Sequence, residues 1–530
     1  MKHRTRRPRW AATLTAALAL TAAPAVGATA TAQPPAPDVQ EVVHTPDGSL
    51  RGTVDDGLGT YQGIPYAAPA QRWRPAEPVT PWAGVRDATE PGAECVQSAV
   101  FWRPGTPAST TEDCLFLNVR VPSGAGPAAP VQVFFHGGGG INGAATDVQP
   151  DRMALEGGNV VVTVNYRLGV LGGLSLPGLD AETPDGASSG NYANTDKVAA
   201  LRWIQRNIAS FGGDPSRVTV AGQSAGAGGV CWLLASPSAA GLFSAAAVES
   251  AGNCGDAVSR EEGAVRSEEF AQAAGCPDPA TAVACLRSRS AADLLDVQLS
   301  TGLRFGAVAG GSDLPLAPAE AFATGAFNHV PVIIGNTRNE SRAFVYEAND
   351  LVRLPLTATA YERTVRDTYG DDAEELLAAY PVTGYETPGL ALAALQTDAR
   401  VCGALPVTRS LARQVPTYTF EFRDETAPGR PYMTVPSSFP IGSGHTSEVP
   451  YLWQSETSEP LTAEQLRLSD VMIGYWSNFA RSGNPNGEGL PAWPVSTEPE
   501  ELRLGLLPGG RTEVVPGAAF EREHSCSLWT

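Results

Sequence analysis

The chain has 530 residues, with 56 Asp and Glu against 37 Lys and Arg, for a formal net charge of −19. Such a surface repels nucleic acid and anionic membranes, which removes both from the expected partners. Lysine occurs only at Lys2 and Lys197, so Schiff-base or Ser–Lys chemistry rests on Lys197 or is absent.

The first 32 residues read as a secretory leader rather than as part of the fold. Lys2, Arg4, Arg6, Arg7 and Arg9 make a basic start, residues 11–26 a short apolar run, and Ala28-Thr29-Ala30 an A-x-A cleavage site, placing the cut near residues 28–32. The remainder, 33–530, carries a net charge of −24 once the five basic leader residues are set aside. It has no uninterrupted apolar run of about eighteen residues, so stable membrane insertion is not expected. Eight cysteines in an exported chain favour disulfides over metal ligation, although on the order of a hundred pairings are open on sequence alone.

Short strands joined by turns are expected over 39–66, followed by an irregular Pro/Trp-rich layer over 65–95. Cys95 and Cys114 bracket a loop containing Phe101 and Trp102, and Leu115–Val121 is a strand candidate. PVQVFF (130–135), GGNVVVTVN (157–165) and the stretch ending in Val218, Val220 and Ala221 read as buried strands, with a helix over 194–211 between the last two. A strand within 242–249, helices over 258–300, strand HVPVIIG (329–335), helices over 358–415 and strand TYTFEF (417–422) follow. Thr462 and Gln465 form a capping box for a helix to about Arg481. This alternation implies a single large α/β domain. Its sheet is mostly parallel, with helices on both faces and helical insertions.

The chemistry centres on Gly222-Gln223-Ser224-Ala225-Gly226. A strand that turns sharply into a helix exposes the central Ser at the helix N-terminus, and the flanking glycines leave room for the turn. The pentapeptide alone also fits an ordinary glycine-rich loop. A nucleophilic Ser needs a base and a carboxylate to orient it, in the order Ser, acid, His for this architecture. Of six histidines, only His445 and His524 follow an acid near residue 340; His524, near the C-terminus, is expected at the surface. His445 lies in a glycine-flanked loop, and Glu340 follows strand HVPVIIG, where active groups in such sheets gather. His136 to Gly140 follows a buried strand, as a loop supplying oxyanion N–H donors should. The Asn339-Glu340-Ser341 sequon is set aside as a chance match.

These features together resemble the type-B carboxylesterase/lipase family of α/β-hydrolases, which includes the cholinesterases. The resemblance runs from about residue 40 to 526. It is carried by Gly63-Ile64-Pro65-Tyr66-Ala67, Glu112-Asp113-Cys114-Leu115, His136 to Gly139, Asn165-Tyr166-Arg167-Leu168-Gly169, Phe211-Gly212-Gly213-Asp214-Pro215, the Ser224 pentapeptide, Glu340, His445 with Glu448, and Tyr475-Trp476. It implies Ser224 as nucleophile, Glu340 as orienting acid and His445 as general base. It also implies Gly138, Gly139 and Ala225 as oxyanion donors, with no cofactor and no metal. The implied pairings are Cys95–Cys114, Cys276–Cys285 and Cys402–Cys526, which leaves Cys231 and Cys254 either to form a fourth bond or to stay as two buried thiols. Three departures stand out: Gln223 where cholinesterases have Glu, Gly140 in place of an aromatic, and Lys197 in place of Gln.

The expectation is therefore a secreted serine carboxylesterase acting on a small-molecule ester through an acyl-enzyme. The alternatives are a lipase, or a detoxifying esterase for a bulky natural-product ester. A non-catalytic binding module would lack the nucleophile, whereas all three triad positions are filled here.

Overall fold

Segments whose every residue is buried set the centre of the sheet: APVQVFF over Ala129–Phe135 and VVVTV over Val160–Val164. A strand with no solvated face has to be covered on both sides, and the β-branched and aromatic residues here suit a pleated, doubly covered surface. The computed structural model describes residues 39–530 except 101, 125–127, 183–185, 187, 188, 253, 498, 499 and 530. The expected leader and Phe101 lie outside the described residues.

Among the described residues thirteen strands form one sheet: β1 (Val39–Thr45), β2 (Gly48–Asp55), β3 (Leu58–Pro65), β4 (Val85–Asp87), β5 (Phe116–Pro122), β6 (Ala129–Phe135), β7 (Val160–Val164), β8 (Gly213–Gln223), β9 (Ala245–Glu249), β10 (Val332–Thr337), β11 (Thr417–Phe422), β12 (Arg503–Leu507) and β13 (Arg511–Val515). Their spatial order is β1-β2-β3-β5-β7-β6-β8-β9-β10-β11-β12-β13, with β4 paired to β2. The run from β7 to β12 is parallel. The β1-β2-β3-β5-β7 end and the β12-β13 hairpin are antiparallel. The chain steps from β6 outward to β7, then returns across β6 to β8, so the direction of winding switches at β6. Side-chain loops meet at such a switch, beyond the carboxyl ends of the strands.

The two faces carry separate cores, as a period of two requires. Val131, Val133, Phe135 and Val220 pack with Trp203 and Trp232 on one face. Phe134, Ala221 and Phe420 pack with Trp453 and Trp476 on the other. Helix Ala463–Ser482 supplies Trp476 to that second core and starts with the expected capping box, Thr462 with Gln465. Residues Val39–Thr530 form one compact unit.

Two expectations, the start of β8 and the exposure of His524, need correction. β8 starts at Gly213, earlier than its apolar core suggests, because Gly213 pairs opposite Ala129 and the polar residues after it bulge out before Val218 pairs opposite Val131. The 358–415 region is helical as expected, in the segments Ala358–Tyr369, Ala373–Ala379, Pro388–Gly403 and Leu405–Ala412. The first break falls at Gly370, with φ 54°. His524 is not at the surface but 4% exposed. The Cys402–Cys526 disulfide ties the C-terminal segment to helix Pro388–Gly403. The imidazole then lies between Asp398 (Nδ1, 2.8 Å) and Glu421 (Nε2, 2.9 Å). Burial alone would lower its pKa, but the hydrogen bonds and charges of Asp398 and Glu421 raise it to about 9.

All four disulfides are formed: Cys95–Cys114, Cys231–Cys254, Cys276–Cys285 and Cys402–Cys526. Cys231 lies in the helix that follows Ser224, and its bond to Cys254 staples that helix to the loop after β9.

Candidate active site

β8 ends at Gln223, and helix Ala225–Ala235 begins two residues later, so the whole turn is made by Ser224. Its backbone is held at φ 55°, ψ −120°, a left-handed conformation costly for a residue with a Cβ. The turn is so tight that both flanking glycines are sterically required. A Cβ on Gly222 would lie 2.5 Å from the Gly226 carbonyl carbon, and one on Gly226 would lie 2.0 Å from the Phe135 carbonyl oxygen. The Ser224 N–H donates to the Glu249 carbonyl (2.9 Å), which pins the turn to the end of β9. The Ser224 side chain faces a cavity of about 710 Å³ and makes no hydrogen bond among the described residues.

The loop after β6 faces the same cavity with Gly138 and Gly139, at φ 98° and 64°. The Gly138 carbonyl accepts from Ile141 and Asn142 N–H, closing the loop on itself, and a Cβ on Gly138 would meet Asn142 O at 2.1 Å. Among the described residues, the N–H groups of Gly138, Gly139 and Ala225 have no protein acceptor. Three unspent donors beside one hydroxyl suit a developing oxyanion. The position of a Cβ on Gly140 is open space. The loop is held from beneath: the Tyr166 hydroxyl donates to His136 O (2.6 Å), and the two rings stack at 4.3 Å. Lys197 Nζ lies 3.5 Å from the centre of the Tyr166 ring. Burial pushes the Lys197 pKa down to about 7 against the opposing charge of Asp196. Lys197 therefore supports the loop and does not line the cavity.

Glu340 follows β10 and is 4% exposed. Its Oε1 accepts from Ser250 Oγ (2.5 Å) and Thr337 N–H (2.9 Å), while its Oε2 meets His445 Nδ1 at 2.6 Å. The His445 loop is also tied down by its backbone, because His445 N–H donates to Glu340 O (3.3 Å) and Asn339 N–H to Ser443 O (3.0 Å). Burial opposes ionisation of Glu340, but the charge and hydrogen bond of His445, with the Ser250 and Thr337 donors, bring its pKa below the usual carboxylate value. Burial likewise pulls His445 down, yet the Glu340 charge and hydrogen bond prevail and its pKa rises above 6.5. The Phe344 ring packs on the imidazole at 4.7 Å.

His445 Nε2 lies 3.3 Å from Gln223 Nε2. A carboxamide nitrogen only donates, so Nε2 accepts and the proton resides on Nδ1, facing Glu340. This tautomer leaves Nε2 able to take a proton from a hydroxyl at the cavity floor. The Gln223 contact has no signal in the motif itself. Two further groups escaped sequence reasoning. Ser250, at the end of β9, bridges Glu340 and Glu448 Oε1 (3.5 Å). Glu249 is buried and accepts from the indoles of Trp453 and Trp476, both at 2.9 Å. Burial raises the pKa of Glu249 and of Glu448 to about 8. A carboxyl-hydroxyl pair at the carboxyl end of a buried strand was the available clue to Glu249 and Ser250. Glu448 was visible three residues past His445, but its role was not.

The carboxylesterase family model matches residues 39–517. The chain belongs to the carboxylesterase family. Like other carboxylesterases it is a carboxylic ester hydrolase with the α/β-hydrolase fold. It is 34% identical to a rabbit (Oryctolagus cuniculus) cocaine esterase, over 88% of this chain and 92% of that protein. It is 31% identical to a fumonisin B1 esterase of Sphingopyxis macrogoltabida, over 86% and 85% of the two chains. Among solved structures, a Geobacillus stearothermophilus carboxylesterase superposes with a TM-score of 0.76 at 30% identity, covering 92% of this chain and all of that one.

Proposed function

We propose that this carboxylesterase is a serine enzyme in which Ser224 attacks the ester carbonyl, His445 accepts its proton at Nε2, and Glu340 holds the imidazole in the productive tautomer. The N–H groups of Gly138, Gly139 and Ala225 receive the oxyanion. Collapse of the tetrahedral adduct transfers the proton from His445 to the departing alcohol and leaves an acyl group on Ser224 Oγ. Water activated by the same imidazole then releases the acid. The observation that carries this reading is the short Glu340–His445 bond, at 2.6 Å, on the cavity that Ser224 and three unspent N–H donors also face. The Gln223 amide occupies His445 Nε2 at 3.3 Å; it yields that position to the Ser224 hydroxyl when an ester binds, in keeping with catalytic hydrogen bonds that tighten only in the complex. Hydrolysis of para-nitrophenyl butyrate tests the scheme. Ser224→Ala should lower kcat by about a million-fold, and a variant within tenfold of the wild type would overturn it.

A cavity of about 710 Å³ also favours a bulky ester over a short-chain one, the reading closest to a detoxifying esterase; a lipase would instead be activated by emulsified triglyceride. We further infer export with removal of residues 1–32. The basic–apolar–A-x-A start supports this, as do four disulfides, which persist in oxidising compartments. Among the described residues no helix is long and apolar enough to cross a membrane. N-terminal sequencing of protein from the medium should read a chain starting near residue 33; a chain starting at Met1 would contradict export with cleavage.

A further inference from the structure

The cavity in front of Ser224 has a charge pattern at odds with the rest of the molecule. The chain as a whole is acidic, with 56 Asp and Glu, yet this cavity is lined by Arg304, Arg400, Arg430 and Arg503. Among the described residues none of the four makes an ion pair with a carboxylate. Arg503 is 4% exposed, lies over the Phe520 ring at 4.0 Å, and has a buried Nε with no hydrogen-bond partner. A buried unsatisfied donor on a cation is costly unless something supplies the acceptor. The Arg430 guanidinium donates to the Ser455 hydroxyl. Arg400 lies over Phe344 at 4.7 Å, and Phe344 packs on His445, so a guanidinium stands one aromatic ring from the imidazole. Arg304 is at the rim, its Nη1 3.5 Å from where a Cβ on Gly139 would be.

Glu421, Glu501 and Glu521 oppose the Arg503 charge from nearby without forming an ion pair with it, and the carboxylates that line the cavity are engaged elsewhere or lie at its edge. Glu340 is held by His445, Ser250 and Thr337 N–H. Glu347 accepts from the Tyr432 hydroxyl (2.6 Å), and burial favours its neutral form. Asp256 is exposed at the edge. Guanidinium forks that pair with no carboxylate of the protein match an incoming carboxylate in geometry and charge.

We propose that the cavity selects esters that bear a free carboxylate, such as half-esters of dicarboxylic acids, with Arg400 and Arg503 as the groups that recognise the anion. This rests on Ser224 being the nucleophile of the same cavity.

The test compares esters matched in size. On the acyl side, para-nitrophenyl hydrogen glutarate is set against para-nitrophenyl pentanoate. On the alcohol side, meta-carboxyphenyl pentanoate is set against phenyl pentanoate. The expected result is a kcat/KM about 10- to 100-fold higher for the anionic member of at least one pair, the size of one or two charge-assisted hydrogen bonds. The preferred pair tells which half of the ester carries the anion. The preference should shrink in molar sodium chloride, and R400Q and R503Q should each lower the anionic-to-neutral ratio. A wild-type enzyme with no preference in either pair overturns the proposal, without reliance on any variant. Calorimetric titration of S224A with glutarate, with neutral glutaramide as control, separates the two readings. Glutarate binding without ester hydrolysis by the wild type would uphold the anion site and refute the hydrolytic scheme. Glutarate bound no better than glutaramide, together with equal rates on neutral and anionic esters, would refute the anion site alone.

Discussion

Replacing Glu340 by Gln changes few atoms and should nearly stop the reaction, for a reason that the hydrogen bonds spell out. Glu340 Oε1 receives two donors, Ser250 Oγ at 2.5 Å and Thr337 N–H at 2.9 Å. In the variant the amide oxygen must stay with those donors, since an NH2 group there would oppose both. The amide nitrogen is then placed against His445 Nδ1, where Glu340 Oε2 now stands at 2.6 Å. An NH2 donor forces Nδ1 to accept and moves the ring proton to Nε2, which can no longer take the Ser224 proton. In a serine protease the equivalent change of tautomer costs about ten-thousand-fold in kcat, roughly 5 kcal/mol of barrier. The same loss is expected here. The assay is kcat on para-nitrophenyl butyrate for Glu340→Gln beside the wild type, with thermal melting as a control. The melting temperature should move little, because Oε1 keeps its acceptor role. A variant that folds and retains activity within tenfold of the wild type would refute the reasoning.

Other consequences concern pH, the elbow and the C-terminal segment. His445 must be neutral to act as a base, and its pKa is raised above 6.5 by the Glu340 charge over the opposing effect of burial. Activity should therefore fall on the acid side at a pH above 6.5, and Gln223→Glu, which puts a carboxylate about 3 Å from Nε2, should move that limb up by about one to two units; an unmoved or lowered limb would contradict the assigned contact. Gly226→Ala should abolish both activity and normal folding of the turn, since its Cβ would lie 2.0 Å from Phe135 O; an active, soluble variant would show that the elbow is not so constrained. His524, raised from 6.5 to about 9, adds stability that is fully present below 6.5 and lost as pH rises through about 9. The contribution is roughly 3 kcal/mol at most. His524→Gln should flatten the fall in melting temperature over that window, and an unchanged slope would count against the buried charge network.

Much of the fold was legible because its centre is written in runs such as APVQVFF and VVVTV, whose burial leaves only a doubly covered parallel sheet. Ser224, Glu340 and His445, which line one cavity, could be singled out as candidates because each follows a recognisable strand or glycine loop. What was not legible depends on long-range contact. His524 looked like a polar residue near a terminus until the bond from Cys402 to Cys526 drew it between Asp398 and Glu421. Gln223 read as a departure from a family pattern, and only its distance to His445 Nε2 gives it a part in setting the tautomer. Arg400 and Arg503 lie 103 positions apart and line one cavity, a grouping that no local pattern announces.

In the proposed mechanism a single hydroxyl, Ser224 Oγ, carries the acyl group. Diethyl para-nitrophenyl phosphate reacts with such a group to leave a stable diethylphosphoryl adduct, which mass spectrometry of a proteolytic digest can assign to one residue. One adduct per chain is expected, on Ser224, formed in step with loss of esterase activity and absent from Ser224→Ala. An adduct on another residue that tracks the loss of activity, or a Ser224→Ala variant inactivated as readily as the wild type, would contradict it.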